Sequence, residues 1–305
     1  MNNFFKILFF ILLIFKSTIS FSDDTKIKIG VLAPLSGENK DLGQQIINSI
    51  RMALIDIDDN RIEIYPKDTK SDPNITLRSA LELEKMGINL VIGPIFHKNL
   101  IFLKEVESIT FLSLTNKTLD LSKNIISAGI NSSSQLITIK KFLKLNEIKK
   151  TILLIPEQNY DLEIKRGVKN SKLRFSREYF YNIEPTKLTK QIEEITKYDR
   201  RKQNLLDEIL RVENSDDVDK EKKIENLKKK YTLGSLKFDS IIIADFNESL
   251  KSVMTSLLYT DVSPKEKFII TLNQWFDESL LKETNIQPIY YPSVNKRNLD
   301  LFVLK

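Results

Sequence analysis

The chain has 305 residues, a formal net charge of +6 and no cysteine, and this length is enough to bury two hydrophobic cores. The lack of cysteine excludes a disulfide framework, a thiolate metal site, a catalytic thiol and a lipid anchor on a mature N-terminal cysteine. His97 is the only histidine, which excludes a histidine-based catalytic triad and a site with several histidine ligands.

The N-terminal segment has the pattern of a signal peptide. Residues 1–6 contain one cation, residues 7–15 form the apolar run ILFFILLIF, and the small residues Ser20 and Ser22 precede Asp23. We expect cleavage after Ser22, with Ser20 as the second choice, and export to the periplasm. The alternative is an uncleaved N-terminal anchor.

The positive charge does not indicate a nucleic-acid partner. Removal of the signal peptide takes away Lys6 and Lys16, and the remaining lysines are spread along the whole chain without an aromatic and basic cluster.

From residue 26 onward, apolar runs alternate with amphipathic segments. The first run leads through the Ser/Gly/Asn-rich loop of residues 34–43 into a helix, which is where open α/β sheets place a ligand crevice. This alternation predicts parallel sheets with right-handed crossovers. The predicted strands are residues 26–33, 61–66, 89–92, 110–114, 125–129, 151–155, 177–182, 239–245, 267–272 and 287–291. The predicted helices are residues 44–57, 73–86 with Asp72 as N-cap, 98–108, 132–146, 160–172 and 247–259 with Asn247 as cap.

The pattern restarts near Lys150, which predicts two lobes around a cleft. We expect a signal peptide of residues 1–22, an N-terminal α/β lobe of residues 23–148 and a C-terminal α/β lobe of residues 149–272. Residues 273–305 are predicted to return toward the first lobe and to stop before completing it.

Residues 186–231 interrupt the alternation, because they contain no strand run and are dense in Lys, Glu, Asp and Arg. We interpret them as a helical excursion of the second lobe. One hypothesis is a protruding hairpin that binds a partner. The alternative is a pair of amphipathic helices that cover the sheet.

Several motifs together resemble the type I periplasmic binding proteins, the Leu/Ile/Val-binding-like receptors of ABC transporters. They are KIGVLAPLSG (28–37), Gly43, the DxxxDP of residues 68–73, LVIGP (90–94), SLTN (113–116) and Tyr160. Three later stretches are similar to the penicillin-binding-protein activator branch of that family. They are ITKYDRRKQNLLDEI (195–209), residues 233–262 and Trp275 in NQWFD.

The resemblance implies a two-lobed type I periplasmic-binding-protein fold, with parallel sheets flanked by helices. In the activator branch this fold regulates peptidoglycan synthases, so a penicillin-binding protein is the implied partner. The alternative is an ABC-transporter substrate-binding protein that captures a branched-chain amino acid or a similar small solute and delivers it to a permease.

The resemblance also implies an inter-lobe site. Ser113 and Thr115 match the loop that holds an α-carboxylate, and Tyr160 falls where such receptors have a cleft tyrosine. Asp245 is the nearest candidate for an ammonium ligand. The loop after Gly93-Pro94 departs from the family, because it reads IFHKN where receptors have serines.

Each candidate also has a structural interpretation. Ser36 is a ligand contact or a turn residue, and His97 is a cleft-rim residue or a solvated helix start. Tyr160 is a cleft or packing residue, and Asp245 is a ligand or the N-cap of the next helix. The sequence contains no GxSxG, Walker, HExxH or GxGxxG motif, so neither catalysis nor a cofactor is predicted.

Overall fold

A computed structural model describes residues 26–158, 161–272 and 279–293. The chain divides into two compact units. The first unit runs to Thr115 and includes Asp120–Ala128, and the second comprises Asn116–Leu119 and the chain from Gly129 onward.

The first unit contains a sheet of five parallel strands in the order β2-β1-β3-β4-β5. This order has its topological switch point between β1 and β3. All five strands lie where the sequence predicts them, with small shifts at their ends. They are β1 (Ile27–Ala33), β2 (Ile62–Asp68), β3 (Leu90–Ile92), β4 (Thr110–Ser113) and β5 (Ile125–Ser127).

Two helices flank this sheet, α1 (Lys40–Ile57) and α2 (Pro73–Lys85). The predicted cap of α2 is confirmed, because Asp72 Oδ1 accepts hydrogen bonds from the backbone N–H of Asn74 and of Ile75, both at 2.9 Å. Close packing of α2 on β1 requires Gly30. A Cβ atom at Gly30 would lie 2.7 Å from a methyl carbon of Leu83 and 2.9 Å from one of Val91.

The predicted helix at residues 98–108 is wrong. Two short 3₁₀ helices, His97–Leu100 and Leu103–Glu105, occupy this segment. Leu100, Leu103 and Val106 are all buried, and their spacing of three residues matches the 3₁₀ repeat rather than the α-helical one.

The second unit contains another sheet of five parallel strands, in the order β10-β9-β8-β6-β7. When the strands of each sheet are numbered one to five along the chain, both sheets have the strand order 2-1-3-4-5. The prediction of an α/β fold with two parallel sheets flanked by helices is therefore confirmed. The strands are β6 (Thr151–Pro156), β7 (Arg177–Tyr181), β8 (Ser240–Ile243), β9 (Phe268–Thr271) and β10 (Ile289–Tyr290).

The first two helices of the second unit are α3 (Ser132–Leu145) and α4 (Asp161–Ser171). Leu136 and Ile139 of α3 share a hydrophobic cluster with Leu153 of β6. The division into units therefore precedes α3, whereas the sequence-based boundary at residue 148 follows it. Periodicity alone cannot show which sheet buries the apolar face of a helix.

Residues 116–119 also belong to the second unit, although the chain returns to the first unit after them. Glu163 on α4 accepts hydrogen bonds from the N–H groups of Thr118 and Leu119 at 2.7 and 2.8 Å, and from the Thr118 hydroxyl at 2.8 Å. Arg166 donates to the Thr118 carbonyl at 2.9 Å.

The excursion consists of three helices, α5 (Pro185–Thr196), α6 (Tyr198–Glu213) and α7 (Lys220–Lys228). Helix α5 covers the sheet, because Leu188 and Ile192 are fully buried in its core cluster. Helix α7 has no buried residue. The covering interpretation therefore holds for α5. The other helices described in the second unit, over residues 129–158, 161–272 and 279–293, are α8 (Asn247–Tyr259), α9 (Ser279–Lys282) and the 3₁₀ helix Thr284–Ile286.

Candidate functional site

Four predicted site residues follow the carboxyl ends of neighbouring strands in the first unit. Ser36 follows β1, His97 follows β3, Ser113 ends β4, and Thr115 lies just beyond it. Parallel neighbours end at the same edge of a sheet, which is the edge where open α/β sheets bind ligands. The structure thus brings these four residues to one edge of the first sheet.

Ser36 is hydrogen-bonded to Asp68, the last residue of β2. The Ser36 hydroxyl donates to Asp68 Oδ2 at 2.5 Å, and the N–H groups of Leu35 and Lys70 donate to Oδ1 at 2.8 and 2.9 Å. Burial raises the pKa of Asp68, but the hydrogen bonds from Ser36, Lys70 and Leu35 outweigh burial, so the pKa lies below its usual 3.8. This geometry matches the turn interpretation of Ser36, with Asp68 as the organising residue of the loop.

Ser113 is fully buried, and its hydroxyl is committed to the backbone. It donates to the carbonyl of Pro94 at 2.8 Å and accepts the N–H of Thr115 at 3.3 Å. The Pro94 carbonyl also accepts the N–H of Leu114 at 3.0 Å. Ser113 therefore fastens the loop after β3 to the end of β4.

Thr115 is also buried, at 4% exposure. Its carbonyl accepts a hydrogen bond from the hydroxyl of Ser127 at 2.8 Å. The two residues that the resemblance assigns to a carboxylate thus lie together, below the surface of the first unit.

His97 lies on the wall of a cavity of about 590 Å³ in the first unit. Pro73 at the start of α2, Lys98 and Asp120 also line this cavity, whereas Ser36, Ser113 and Thr115 do not. His97 and the hydroxyl residues therefore share a sheet edge without sharing this cavity.

Asp245 belongs to the second unit, where it follows β8 and is 1% exposed. Its Oδ2 accepts hydrogen bonds from the hydroxyls of Tyr181 and Ser249, and its Oδ1 accepts the N–H of Phe246 at 2.8 Å. These contacts hold the start of α8, in agreement with a structural role at the helix N-terminus.

The expected cap at Asn247 is wrong. The residue in the cap position is Phe246, without a side-chain cap bond, and Asn247 is the first residue of α8 with a φ of +52°. Asp245 instead contacts the start of α8 through the N–H of Phe246 and the hydroxyl of Ser249. Tyr160 and Trp275 lie outside the described residues.

A buried arginine near the start of α6 donates three side-chain hydrogen bonds. Arg201 is 5% exposed, and its Nε donates to the Thr196 carbonyl at 3.0 Å. Its Nη1 donates to the Thr232 hydroxyl at 2.9 Å, and its Nη2 donates to the Thr260 carbonyl. Thr232 in turn donates to Asp261 at 2.5 Å.

This arginine joins the end of α5, the start of α6, the loop after α7 and the end of α8. Burial lowers the pKa of Arg201, and the negative charge of Asp261 offsets part of that effect. The YDRR motif at residues 198–201, which carries the activator resemblance, contains this residue. The sequence alone does not show that Arg201 is buried whereas its neighbour Arg200 is exposed.

The exposed face of α6 carries two apolar side chains. Leu206 is 48% exposed and Leu210 is 55% exposed, and their spacing of four residues puts them on the same face of the helix. Val218, between α6 and α7, is fully exposed. The excursion therefore presents apolar groups to solvent among its charged residues.

None of the helices in the described residues combines the length and the apolar character that a membrane span requires. Within the same residues, no group of three or more His, Cys, Asp or Glu side chains is arranged to hold a metal ion.

No protein-family model matches the sequence, and the search of curated proteins gives no match. Solved structures do match. The C-domain of LpoA from Haemophilus influenzae, described as a regulator of PBP1A, is 14% identical with a TM-score of 0.54. That match covers 85% of this chain and 69% of the other.

Full-length LpoA from the same organism is 15% identical with a TM-score of 0.56. The match covers 86% of this chain and 41% of LpoA, so this chain spans less than half of the full-length protein. A leucine-binding protein, LivK, from Thermotoga maritima is 13% identical, with 84% and 66% of the two chains covered. Its TM-score is 0.42. The chain therefore shares its fold with the LpoA C-domain.

Proposed function

We propose that this protein is a non-catalytic regulator that acts in the periplasm by binding a peptidoglycan synthase. The observation that carries the proposal is that the polar groups expected to hold a solute are already hydrogen-bonded to other residues of this protein. The hydroxyl of Ser113 donates to the Pro94 carbonyl, and Asp245 accepts hydrogen bonds from Tyr181, Ser249 and Phe246. A solute carboxylate or ammonium group would have to displace these contacts, which costs free energy for each buried group left unpaired.

The kind of partner is supported by the likeness in fold to the C-domain of LpoA, a regulator of PBP1A. Export is supported by the signal-peptide pattern of residues 1–22. For the contact surface we propose the exposed face of α6, because Leu206 and Leu210 lie in solvent there. Apolar side chains that stay exposed in the free protein favour burial against a partner.

The test is a binding measurement between the exported protein and a purified peptidoglycan synthase of the same organism. A Leu206→Gln/Leu210→Gln variant should bind the synthase roughly tenfold more weakly and should keep its thermal midpoint. The matched control is Leu145→Gln/Leu162→Gln, which removes two leucines that are also exposed, at 82% and 59%. Equal binding by both variants would reject α6 as the contact surface.

Solute capture by an ABC-type receptor is the competing outcome. A receptor gains thermal stability by RT ln(1 + [L]/Kd) when its solute is present. We expect no amino acid to raise the thermal midpoint. A specific stabilisation that disappears in Ser113→Ala/Thr115→Ala would replace the regulator proposal with solute binding.

A further inference from the structure

A cavity of about 680 Å³ lies at the amino-terminal edge of the second sheet. Its walls include Ile152 near the start of β6, Arg177 at the start of β7 and Phe238 just before β8. Asp245 follows the carboxyl end of β8, at the opposite edge. The cavity is therefore distinct from the edge where open α/β sheets usually bind ligands.

Positive charge dominates the walls of this cavity. None of its described lining residues is acidic, and all its cationic side chains except Arg201 are exposed. Within the described part of the chain, none of these exposed cations forms an ion pair with a carboxylate. The six cationic residues are Lys150, Arg177, Lys197, Arg200, Arg201 and Lys237.

These cations come from separate elements and repel one another. Lys237, in the loop before β8, lowers the pKa of Lys197 at the end of α5; burial lowers that pKa further, and Arg200 and Arg177 add to the effect. Surface cations on a lysine-rich protein normally spread apart or pair with acids. A bound anion would convert this repulsion into attraction.

The uncharged residues that line the cavity indicate which chemical groups the ligand carries besides an anion. Tyr179, Leu236 and Phe238 contribute apolar surface, whereas the side chains of Ser176 and Asn204 donate to the backbone carbonyls of Thr151 and Leu233. Guanidinium groups pair with phosphate oxygens through two parallel hydrogen bonds. The volume lies in the range of small-molecule pockets.

We propose that this cavity binds a small organic phosphate monoester, with the phosphate among the cations and the apolar group against the aromatic side chains. The proposal is independent of the peptidoglycan-synthase function, because it uses neither the exposed leucines of α6 nor the carboxyl edge of either sheet.

The test is calorimetric titration of the full chain with phenyl phosphate and, separately, with inorganic phosphate at low ionic strength. We expect phenyl phosphate to bind more tightly than inorganic phosphate. Arg177→Gln/Arg200→Gln should weaken both by about tenfold, because it removes two charge-assisted hydrogen-bonding groups. The matched control is Arg51→Gln/Arg174→Gln, which removes the same charge from two exposed arginines outside the cavity.

Unchanged binding in the control variant together with weaker binding in the cavity variant would support the proposal. Equal weakening in both variants would overturn it, because the attraction would then come from net charge. The absence of saturable binding by the unaltered protein would also overturn it. Equal affinity for both ligands would refute the role of the aromatic wall. Thermal unfolding of each variant shows whether a loss of binding comes from a loss of folding.

Discussion

The hydroxyl of Tyr181 donates a hydrogen bond to Oδ2 of Asp245 in the interior of the second unit. Tyr181 ends β7 and Asp245 follows β8, with β6 between these two strands. Both residues are at most 1% exposed. The pair therefore connects the ends of two strands that do not pair directly.

Replacing Tyr181 with phenylalanine should destabilise the protein by about 2 kcal/mol, because a buried hydrogen bond to a carboxylate is lost. Urea unfolding followed by circular dichroism gives the free energy. The control is Tyr231→Phe, since Tyr231 is 78% exposed, and it should change stability by less than about 0.5 kcal/mol. Equal effects would mean that the Tyr181 contact contributes nothing to stability.

Replacing Arg201 with methionine should cost about 3 kcal/mol, because the carbonyls of Thr196 and Thr260 lose a buried donor. The matched control is Arg200→Met at the adjacent exposed position, with an expected effect within about 0.5 kcal/mol. Denaturant midpoints of the two variants measure the difference. A neutral Arg201→Met variant would show that an apolar side chain holds the excursion equally well.

Replacing Gly43 with alanine should destabilise the protein by about 2–3 kcal/mol through overpacking. Alanine has the higher helix propensity, by about 1 kcal/mol, but its Cβ atom would lie 1.9 Å from the backbone oxygen of Pro34. The comparison is Gly87→Ala, where open space surrounds the Cβ and only the positive φ of +74° opposes the change. Thermal midpoints should rank Gly43→Ala below Gly87→Ala. The reverse order would refute the packing argument.

The hydrogen bonds to Asp68 predict a pH dependence of stability. The pKa of Asp68 is lower in the folded protein than its usual 3.8. The carboxylate therefore contributes stability above that value and loses it as the pH falls through the folded pKa. Ser36→Ala should raise this pKa and make the acid loss smaller.

The measurement for this prediction is the carboxyl carbon shift of Asp68, titrated by NMR between neutral and acidic pH. The control is Ser49→Ala, because Ser49 bonds only to the Gln45 carbonyl on α1 among its described contacts. An unchanged Asp68 titration in Ser36→Ala would mean that the backbone donors alone set the pKa.

Most strands could be predicted from sequence, because strands buried on both faces of a parallel sheet have continuous apolar runs. TILLI at 151–155 and SIII at 240–243 are examples, and both strands are wholly buried. The predicted Asp72 cap succeeded for a different reason, since the cap and its two N–H donors lie within three residues of each other.

The surroundings of the candidate site could not be predicted in this way, because its hydrogen-bond partners are distant in the chain. Tyr181 and Asp245 are 64 residues apart, and Arg201 and Thr260 are 59 apart. A sequence pattern shows that Ser113 and Asp245 lie at the carboxyl ends of predicted strands. It does not show whether another residue of the same protein has already occupied their hydrogen-bonding groups.

The contact between residues 116–119 and Glu163 has a consequence for synthesis on the ribosome. Chains emerge from the N-terminus, and domains generally fold as units in that order. Residues 116–119 emerge before β5, yet Glu163, which accepts their hydrogen bonds, emerges after it. The nascent first unit can therefore complete its sheet while this short segment still lacks its partner. The segment reaches its final conformation only after α4 has left the exit tunnel.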